Sequence, residues 1–282
     1  MWNRDRWLKS LVPLEPIPSG CNPRGEPREK IGCLVFDIYG TLFISGSGDI
    51  GTTKKTHYNW VRLNDLLQRY RISRSPKQLL GDFFRAIEYE HKFMQRNGID
   101  YPEVDIIHIW RKVLGSYQPE DLHHFALEIE LILNPVYPMP HLDDLLSVCR
   151  RSGIIMGIIS NAQFYTPNLF EYFFNAELVA LGFDPDLIVF SYRIGRAKPS
   201  AVLFEILCER LDQKGVPRSS TLYVGNDMLN DIVPAHAVGI QTALFAGDAR
   251  SLRLRKDDVR CRGHFADMVI TDLLQLVDIL EK

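Results

Sequence analysis

Hydrophobic and polar positions change rhythm twice along this chain. Residues 31–36, IGCLVF, form an unbroken apolar run that ends at Asp37 and a tight Gly40–Thr41 turn. A short run without alternation, closed by a turn, predicts a strand buried on both faces. From about residue 52 to 133 the apolar positions recur at spacings of three and four, in WVRLNDLLQRY, SPKQLLGDFFRAIEYEHKFMQRNG, EVDIIHIWRKVLG and EDLHHFALEIELIL. That spacing predicts a long helical block. After the proline-rich NPVYPMP the texture becomes alternating helix and apolar strand. HLDDLLSVCRRSG is an amphipathic helix closed by Gly153, and IIMGIIS is a strand. LFEYFF and turns lead on to DLIVFS, PSAVLFEILCERL, TLYVGND, NDIVPAHAVG, QTALFAG and DMVI.

Short buried strands separated by helices imply a mostly parallel sheet covered on both faces. The first strand belongs to that sheet although the helical block interrupts it. The expected fold is therefore α/β, a Rossmann-like, doubly wound core with an inserted helical unit. Residues 31–51 plus 134–282 are expected to form the core, 52–133 the helical insert, and 1–30 an N-terminal arm rich in proline and mixed charge.

The ends of the strands carry the candidate chemistry, because open α/β sheets bind ligands outside the carboxyl ends of their strands. The first strand delivers Asp37, the next ends in Ser160-Asn161, the segment GRAKPS presents Lys198, and LYVGNDMLND presents Asp227 and Asp231. One crevice can gather a carboxylate, a hydroxyl, an ammonium and two further carboxylates. Taken singly, Asp37 also reads as a capping residue, Ser160 as a helix N-cap and Lys198 as a solvated lysine. Their joint order is what makes a site. Asp227 and Asp231, four residues apart, share a face if a helix begins between them, and such hard oxygen ligands suit Mg²⁺.

In this order the segments resemble the haloacid dehalogenase superfamily of hydrolases, over roughly residues 31–272, with the helical block in the place of that family's cap. The resemblance implies that Asp37 attacks an electrophile in line and forms an aspartyl ester. Ser160 would hydrogen-bond the transferred group, Lys198 would balance negative charge, and Thr41 and Asn161 would join them in binding substrate or phosphate. It also implies one Mg²⁺ held by Asp37, the backbone carbonyl of Tyr39 and Asp227, with Asp231 close by or behind.

Tyr39 departs from the pattern. Phosphatases of the family usually carry a second Asp there, which protonates the leaving alkoxide and activates water, a contribution of roughly 10²-fold to 10⁴-fold. The 2-haloacid dehalogenases show D-x-Y-G-T instead, and halide leaves without a proton. Those dehalogenases usually lack the first acid of the later pair, which VGNDMLND retains. The expected function is a Mg²⁺-dependent phosphohydrolase of a small phosphorylated metabolite, preferring acyl or aryl phosphates or anhydrides that need little protonation. The alternatives are a metal-independent 2-haloacid dehalogenase, with Tyr39 in its site, and a catalytically weak binding protein of the same fold.

Composition narrows the setting. The 282 residues fit one large domain or a core with an insertion, and 46% hydrophobic with 24% charged residues is ordinary for a globular protein. Lys and Arg total 33 against 35 acids, a formal charge of -2. Nothing overall favours nucleic acid or an anionic membrane as partner. The five cysteines are widely separated, without zinc spacing, and predict reduced core thiols in a cytoplasm. No apolar run of about 18 residues appears, no signal-peptide stretch opens the chain, and no Walker or dinucleotide glycine fingerprint is present. The oligomeric state stays open.

Substrate choice is expected in the helical block, where Tyr58, Trp60, Arg85, Tyr89, His91, Lys92 and Trp110 are candidates, although helical spacing assigns most of them to core or solvent. The turn QFYTPN is a candidate rim. In ARSLRLRKDDVRCRGH, Arg250, Arg253, Arg255, Lys256, Arg260 and Arg262 can receive a phosphate, but Asp257 and Asp258 favour a solvated surface loop. His236 reads as packing or surface.

Overall fold

The computed structural model describes residues 13–47, 58–117 and 119–281. Its elements begin with β1 (Arg24–Gly25), β2 (Cys33–Phe36) and β3 (Phe43–Ser45). Four helices follow: α1 (Trp60–Arg69), α2 (Pro76–Arg96), α3 (Ile106–Leu114) and α4 (Leu122–Leu133). The chain continues through β4 (Val136–Pro138), α5 (Leu142–Arg151), β5 (Ile155–Ser160), α6 (Thr166–Phe174), β6 (Phe183–Phe190), α7 (Ser191–Ile194) and α8 (Ala201–Gln213). It ends with β7 (Thr221–Gly225), a π-helical turn (Met228–Ile232), α9 (Val233–Ala237), β8 (Gln241–Phe245), β9 (Met268–Ile270) and α10 (Leu274–Leu280).

Seven strands form one sheet in the order β1-β9-β8-β7-β2-β5-β6, parallel except for the antiparallel edge strand β1. The uninterrupted apolar run of β2 follows from burial on both faces. Cys33 and Val35 pack with Leu203, Phe204 and Leu207 of α8, while Leu34 and Phe36 join the larger core on the other face. After β2 the chain builds outward through β5 and β6, then returns to β2's other flank for β7, β8 and β9. The direction of winding therefore reverses beside β2, and Phe36 pairs with both Ile158 and Val224. A crevice at that point is the standard ligand position of such sheets.

Each of the four helices between β3 and β4 starts where a polar side chain takes up its free first-turn N–H groups: Asn59, Ser75, Asp105 and Asp121. Their apolar faces meet around Trp110, which is fully buried, stacked on Phe83 at 4.2 Å and edge-on to Phe125 at 5.1 Å. β3 and β4 pair antiparallel, from Phe43 with Pro138 to Ser45 with Val136, so the strands on either side of the helices are tied together. The sequence pattern did not predict this pair, nor β1, because strands of two or three residues are too short to show a period.

Residues 13–30 run as an extended arm. Ala249 N–H donates to the Ile17 carbonyl, Ser19 Oγ to the Ala246 carbonyl, and β1 extends the sheet beyond β9. Residues 1–12 of the expected arm, 52–57 and 118 of the expected helical block, and 48–51 and 282 of the expected core lie outside the described residues. All five cysteines are free and four are buried. Burial pushes the Cys33 and Cys149 thiols up to about 12, which suits packing rather than reactivity. Among the described residues no helix is long and apolar enough to cross a membrane.

Trp110→Ala is expected to cost about 3–5 kcal/mol, because the ring fills the space between α2, α3 and α4. Chemical denaturation of the purified variant measures it; a loss near zero would show that Trp110 is not a core residue.

Candidate active site

Asp37 follows β2 directly, and its backbone N–H donates to the Val224 carbonyl at 2.9 Å, which ties the residue to the end of β7. Its Oδ1 accepts from Ser160 Oγ at 2.8 Å and lies 2.8 Å from Lys198 Nζ. The same ammonium reaches Asp231 Oδ1 at 2.6 Å, Tyr223 Oη at 3.1 Å and the Ile159 carbonyl at 3.3 Å. Lys198 is 5% exposed and Asp231 1% exposed. Burial opposes the charge on Lys198, but the carboxylates of Asp231 and Asp37 outweigh it and hold the ammonium above its ordinary value. Lys198 is thus a fixed cation between two carboxylates.

Local backbone explains how the lysine is held. Asn161, just past β5, accepts from the Lys198 N–H at 2.7 Å and donates to the Lys198 carbonyl at 3.3 Å, a clamp on both backbone groups of one residue. Asp231 is admitted because residue 225 is glycine. A Cβ there would stand 2.4 Å from the Asp231 Cγ, closer than any real contact. Asp231 Oδ2 accepts from the Asp227 N–H at 2.9 Å, and Oδ1 serves Lys198 and Tyr223. The turn between the two acids is π-helical, and Asp227 caps it by accepting from the N–H groups of Leu229 and Asn230.

A cavity of about 640 Å³ opens over this cluster, and Asp37, Tyr39, Asn161, Lys198, Asp227 and Asp231 all line it. Thr41 and Ser160, both fully buried, are not part of the lining: Thr41 Oγ1 donates to Asn226 at 3.3 Å, and Ser160 sits behind Asp37. The Tyr39 hydroxyl is 2.9 Å from Thr166 Oγ1. Burial, with Glu130 and Asp37 adding, pushes its phenol far above the ordinary range, which makes it a weak acid.

One expectation about neighbouring residues needs correction. The basic run after β8 is not simply a solvated loop. Arg253 lines the cavity, and Arg255 grips Asp227 with Nη2 to Oδ2 at 2.5 Å and Nε to Oδ1 at 3.1 Å. The Asp227–Arg253 bridge and the Met228 N–H bond to the Arg253 carbonyl bring that loop against the turn, a contact between segments 25 or so residues apart that composition does not reveal. Of the helical-block candidates, only His91 and Lys92 line the cavity. Trp110 is core, Tyr58 and Trp60 pack edge-on on each other, Arg85 pairs with Asp82, and Tyr89 is 68% exposed. His236 is exposed beside His264. Gln163 and Tyr165 of the expected rim QFYTPN do line the cavity, whereas sequence reasoning missed Glu103, Glu130 and Asn134, which line it from α4 and from loops; no motif marks them.

The donor set can be tested against Mg²⁺. Among the described residues no group of three or more His, Cys, Asp or Glu side chains is arranged to hold a metal. Mg²⁺ needs only one or two carboxylates beside water and substrate oxygens, and Asp37 and Asp227 face one cavity; among the described residues Asp227 Oδ2 accepts from the Arg255 side chain alone, so the donor chemistry fits if that arginine gives way. Asp231 has both oxygens committed to protein donors and fits as a hydrogen-bonding acid instead.

A parallel sheet whose winding reverses at β2, with a buried aspartate at the reversal, defines a doubly wound α/β protein with its candidate site at the switch point. The family model for haloacid dehalogenase-like hydrolases matches residues 31–239, and the chain belongs to that family. A glyceraldehyde 3-phosphate phosphatase of Methanocaldococcus jannaschii is 26% identical over 206 residues, 71% of this chain and 81% of that protein. A ribulose-1,5-bisphosphate 5-phosphatase of Halopiger xanaduensis is 30% identical over 144 residues, 50% of this chain and 56% of that protein. Solved structures share the fold: a 2-haloacid dehalogenase of Pseudomonas syringae has a TM-score of 0.54 at 20% identity, covering 89% of this chain and 98% of that one. A phosphatase of the family from Thermococcus onnurineus has a TM-score of 0.53 at 17% identity with the same coverage.

Lys198→Met is expected to cost about 3–5 kcal/mol, since it strands two buried carboxylates. Thermal unfolding measures it; an unchanged melting temperature would mean that Asp37 and Asp231 do not depend on the lysine.

Proposed function

We propose that the protein hydrolyses small phosphate monoesters or acyl phosphates, acting in a cytoplasm through an aspartyl-phosphate on Asp37. One observation carries the reading: Asp37 and Asp227 face the same cavity with the Lys198 ammonium fixed between Asp37 and Asp231. Both curated relatives bear phosphatase names, which points the same way.

Ser160 and Lys198 engage Asp37 Oδ1, so Oδ2 is the oxygen that attacks phosphorus. The P–O bond to the leaving group breaks as the Asp37–phosphorus bond forms. Lys198 neutralises charge on the nucleophile and on the arriving phosphate. Water then attacks phosphorus, releases phosphate and restores the Asp37 carboxylate. When bound, Mg²⁺ would supply the positive charge that lets a phosphate dianion approach several carboxylates. Asp37, Asp227 and the Tyr39 carbonyl would hold it, with Arg255 yielding part of its grip on Asp227. With a phenol of raised pKa at position 39, protonation of the leaving group is weak, so leaving groups that depart as stable anions are preferred. Tyr39 equally favours a second reading, halide displacement from a short 2-haloacid.

Phosphate release from acetyl phosphate and an aryl phosphate is expected to stop on addition of excess chelator and in Asp37→Asn, and to fall at least about a hundredfold in Asp227→Asn. Chelator-resistant halide release from 2-chloropropionate, tolerant of Asp227→Asn, would replace this reading with the dehalogenase. Arg255→Ala is expected to tighten Mg²⁺ binding measured by calorimetry, because the competing cation is gone; unchanged affinity would place the ion away from Asp227.

A further inference from the structure

Beyond the reaction centre, the cavity extends along α2 and α4, and that wall has an unusual polar content. Phe83, Phe84 and Ile87 of α2 and Leu133 of α4 make it mostly apolar. Three polar atoms interrupt the apolar surface: His91 Nε2 has no hydrogen-bond partner among the described residues, and Glu130 Oε1 and Asn134 Nδ2 make no bond of good geometry, with the Tyr165 hydroxyl and the Asn134 amide as the neighbours of the Glu130 carboxyl. All three residues line the cavity, and Asn134 is only 2% exposed. Its carbonyl oxygen is already used, accepting from Ser45 Oγ at 2.9 Å and from the Ser47 N–H at 3.1 Å, which fixes the amide and leaves its donor beside the Glu130 carboxyl without a bond of good geometry. Buried polar atoms without partners cost about 1–3 kcal/mol each, so such atoms at a cavity wall mark where a ligand completes the bonding.

The charges on this wall add a second constraint. Glu88, Glu103 and Glu130 line it, against Lys92, which is paired with Glu88 at 2.9 Å. Glu103 is held by Ser191 Oγ at 2.7 Å and Gln163 Nε2 at 3.1 Å. Burial pushes the carboxyls of Glu103 and Glu130 up to about 7 and lowers His91 below its ordinary value, so the wall already tolerates little further negative charge and offers no imidazolium to offset it. An anionic group brought here meets carboxylates and no unpaired cation on this wall.

We propose that this wall selects the leaving group, favouring esters whose leaving group is non-anionic and carries hydrogen-bonding groups on an apolar or planar frame, bound by His91, Glu130 and Asn134. The inference rests on the phosphohydrolase reading and deepens it. It sets this chain apart from an enzyme of bisphosphates, whose second phosphate would have to enter the acidic wall.

Three aryl monophosphates of similar leaving-group acidity test it: phenyl phosphate, 4-acetamidophenyl phosphate and 4-carboxyphenyl phosphate. The expected kcat/KM is highest for the acetamide, at least about tenfold above phenyl and further above the carboxylate, with the difference in KM. Asn134→Ala and Glu130→Gln are expected to shrink the acetamide preference, and Glu130→Gln to relieve the handicap of the carboxylate. The readout is the ratio between substrates in each variant, so an overall loss of activity or folding cancels. Equal kcat/KM for all three in the natural protein would overturn this inference and leave the phosphatase reading standing. Phosphate release from none of them would overturn that reading. In that case calorimetric binding of 4-acetamidophenol against 4-hydroxybenzoate still decides the wall: preference for the acetamide supports the selection, and equal or reversed affinity overturns it.

Discussion

The bridge of Lys198 between Asp37 and Asp231 is the interaction on which the rest of the site depends. Three ionised groups, each at most 7% exposed, share one small volume, and taking charges out of water costs several kcal/mol apiece unless they are paired. The pairing is achieved from three distant stretches of chain. β2 supplies Asp37, the Asn161 clamp at the end of β5 fixes Lys198, and the turn after β7 supplies Asp231 across a glycine that leaves it room. Because β2 lies between β5 and β7, these strand ends meet only in this strand order.

The same logic of fixed charge runs outward through the crevice. Asp227 is answered by the Arg255 fork, so each acid of the cluster has a cation supplied by the chain itself. Such an arrangement needs no ligand to balance its charge, and Asp37 and Asp227 still line the cavity. Tyr39 fits this economy of charge: a neutral phenol bonded to Thr166 replaces what would have been one more buried carboxylate. Fewer negative charges beside Asp37 ease the approach of an anion, at the expense of proton transfer to the leaving group.

Away from the charged cluster, α1–α4 stand on a separate set of contacts centred on Trp110, Phe83 and Phe125. This packing matters for the proposed recognition, because the polar groups of His91, Glu130 and Asn134 can discriminate only if the apolar wall around them holds its shape. The tie between β3 and β4, together with Ser45 and Ser47 bonding Asn134, connects this wall to the segment that follows Asp37.

The sequence by itself determined the alternation of helices and buried strands, the helical block that follows the first buried strand, and the residues at the strand ends. These are legible because burial on two faces imposes unbroken apolar runs, helical packing imposes spacings of three and four, and ligand groups collect where parallel strands stop. It placed Asp37, Lys198, Asp227 and Asp231 on one crevice, and all four do line one cavity. Only the tertiary structure decided that Thr41 and Ser160 stand behind that surface, that Arg255 grips Asp227, and that Glu103, Glu130 and Asn134 face the cavity. Those outcomes depend on which side chains from distant segments reach one another across a loop or a helix face. No local period or motif records such distances, because they are set by the packing of whole elements.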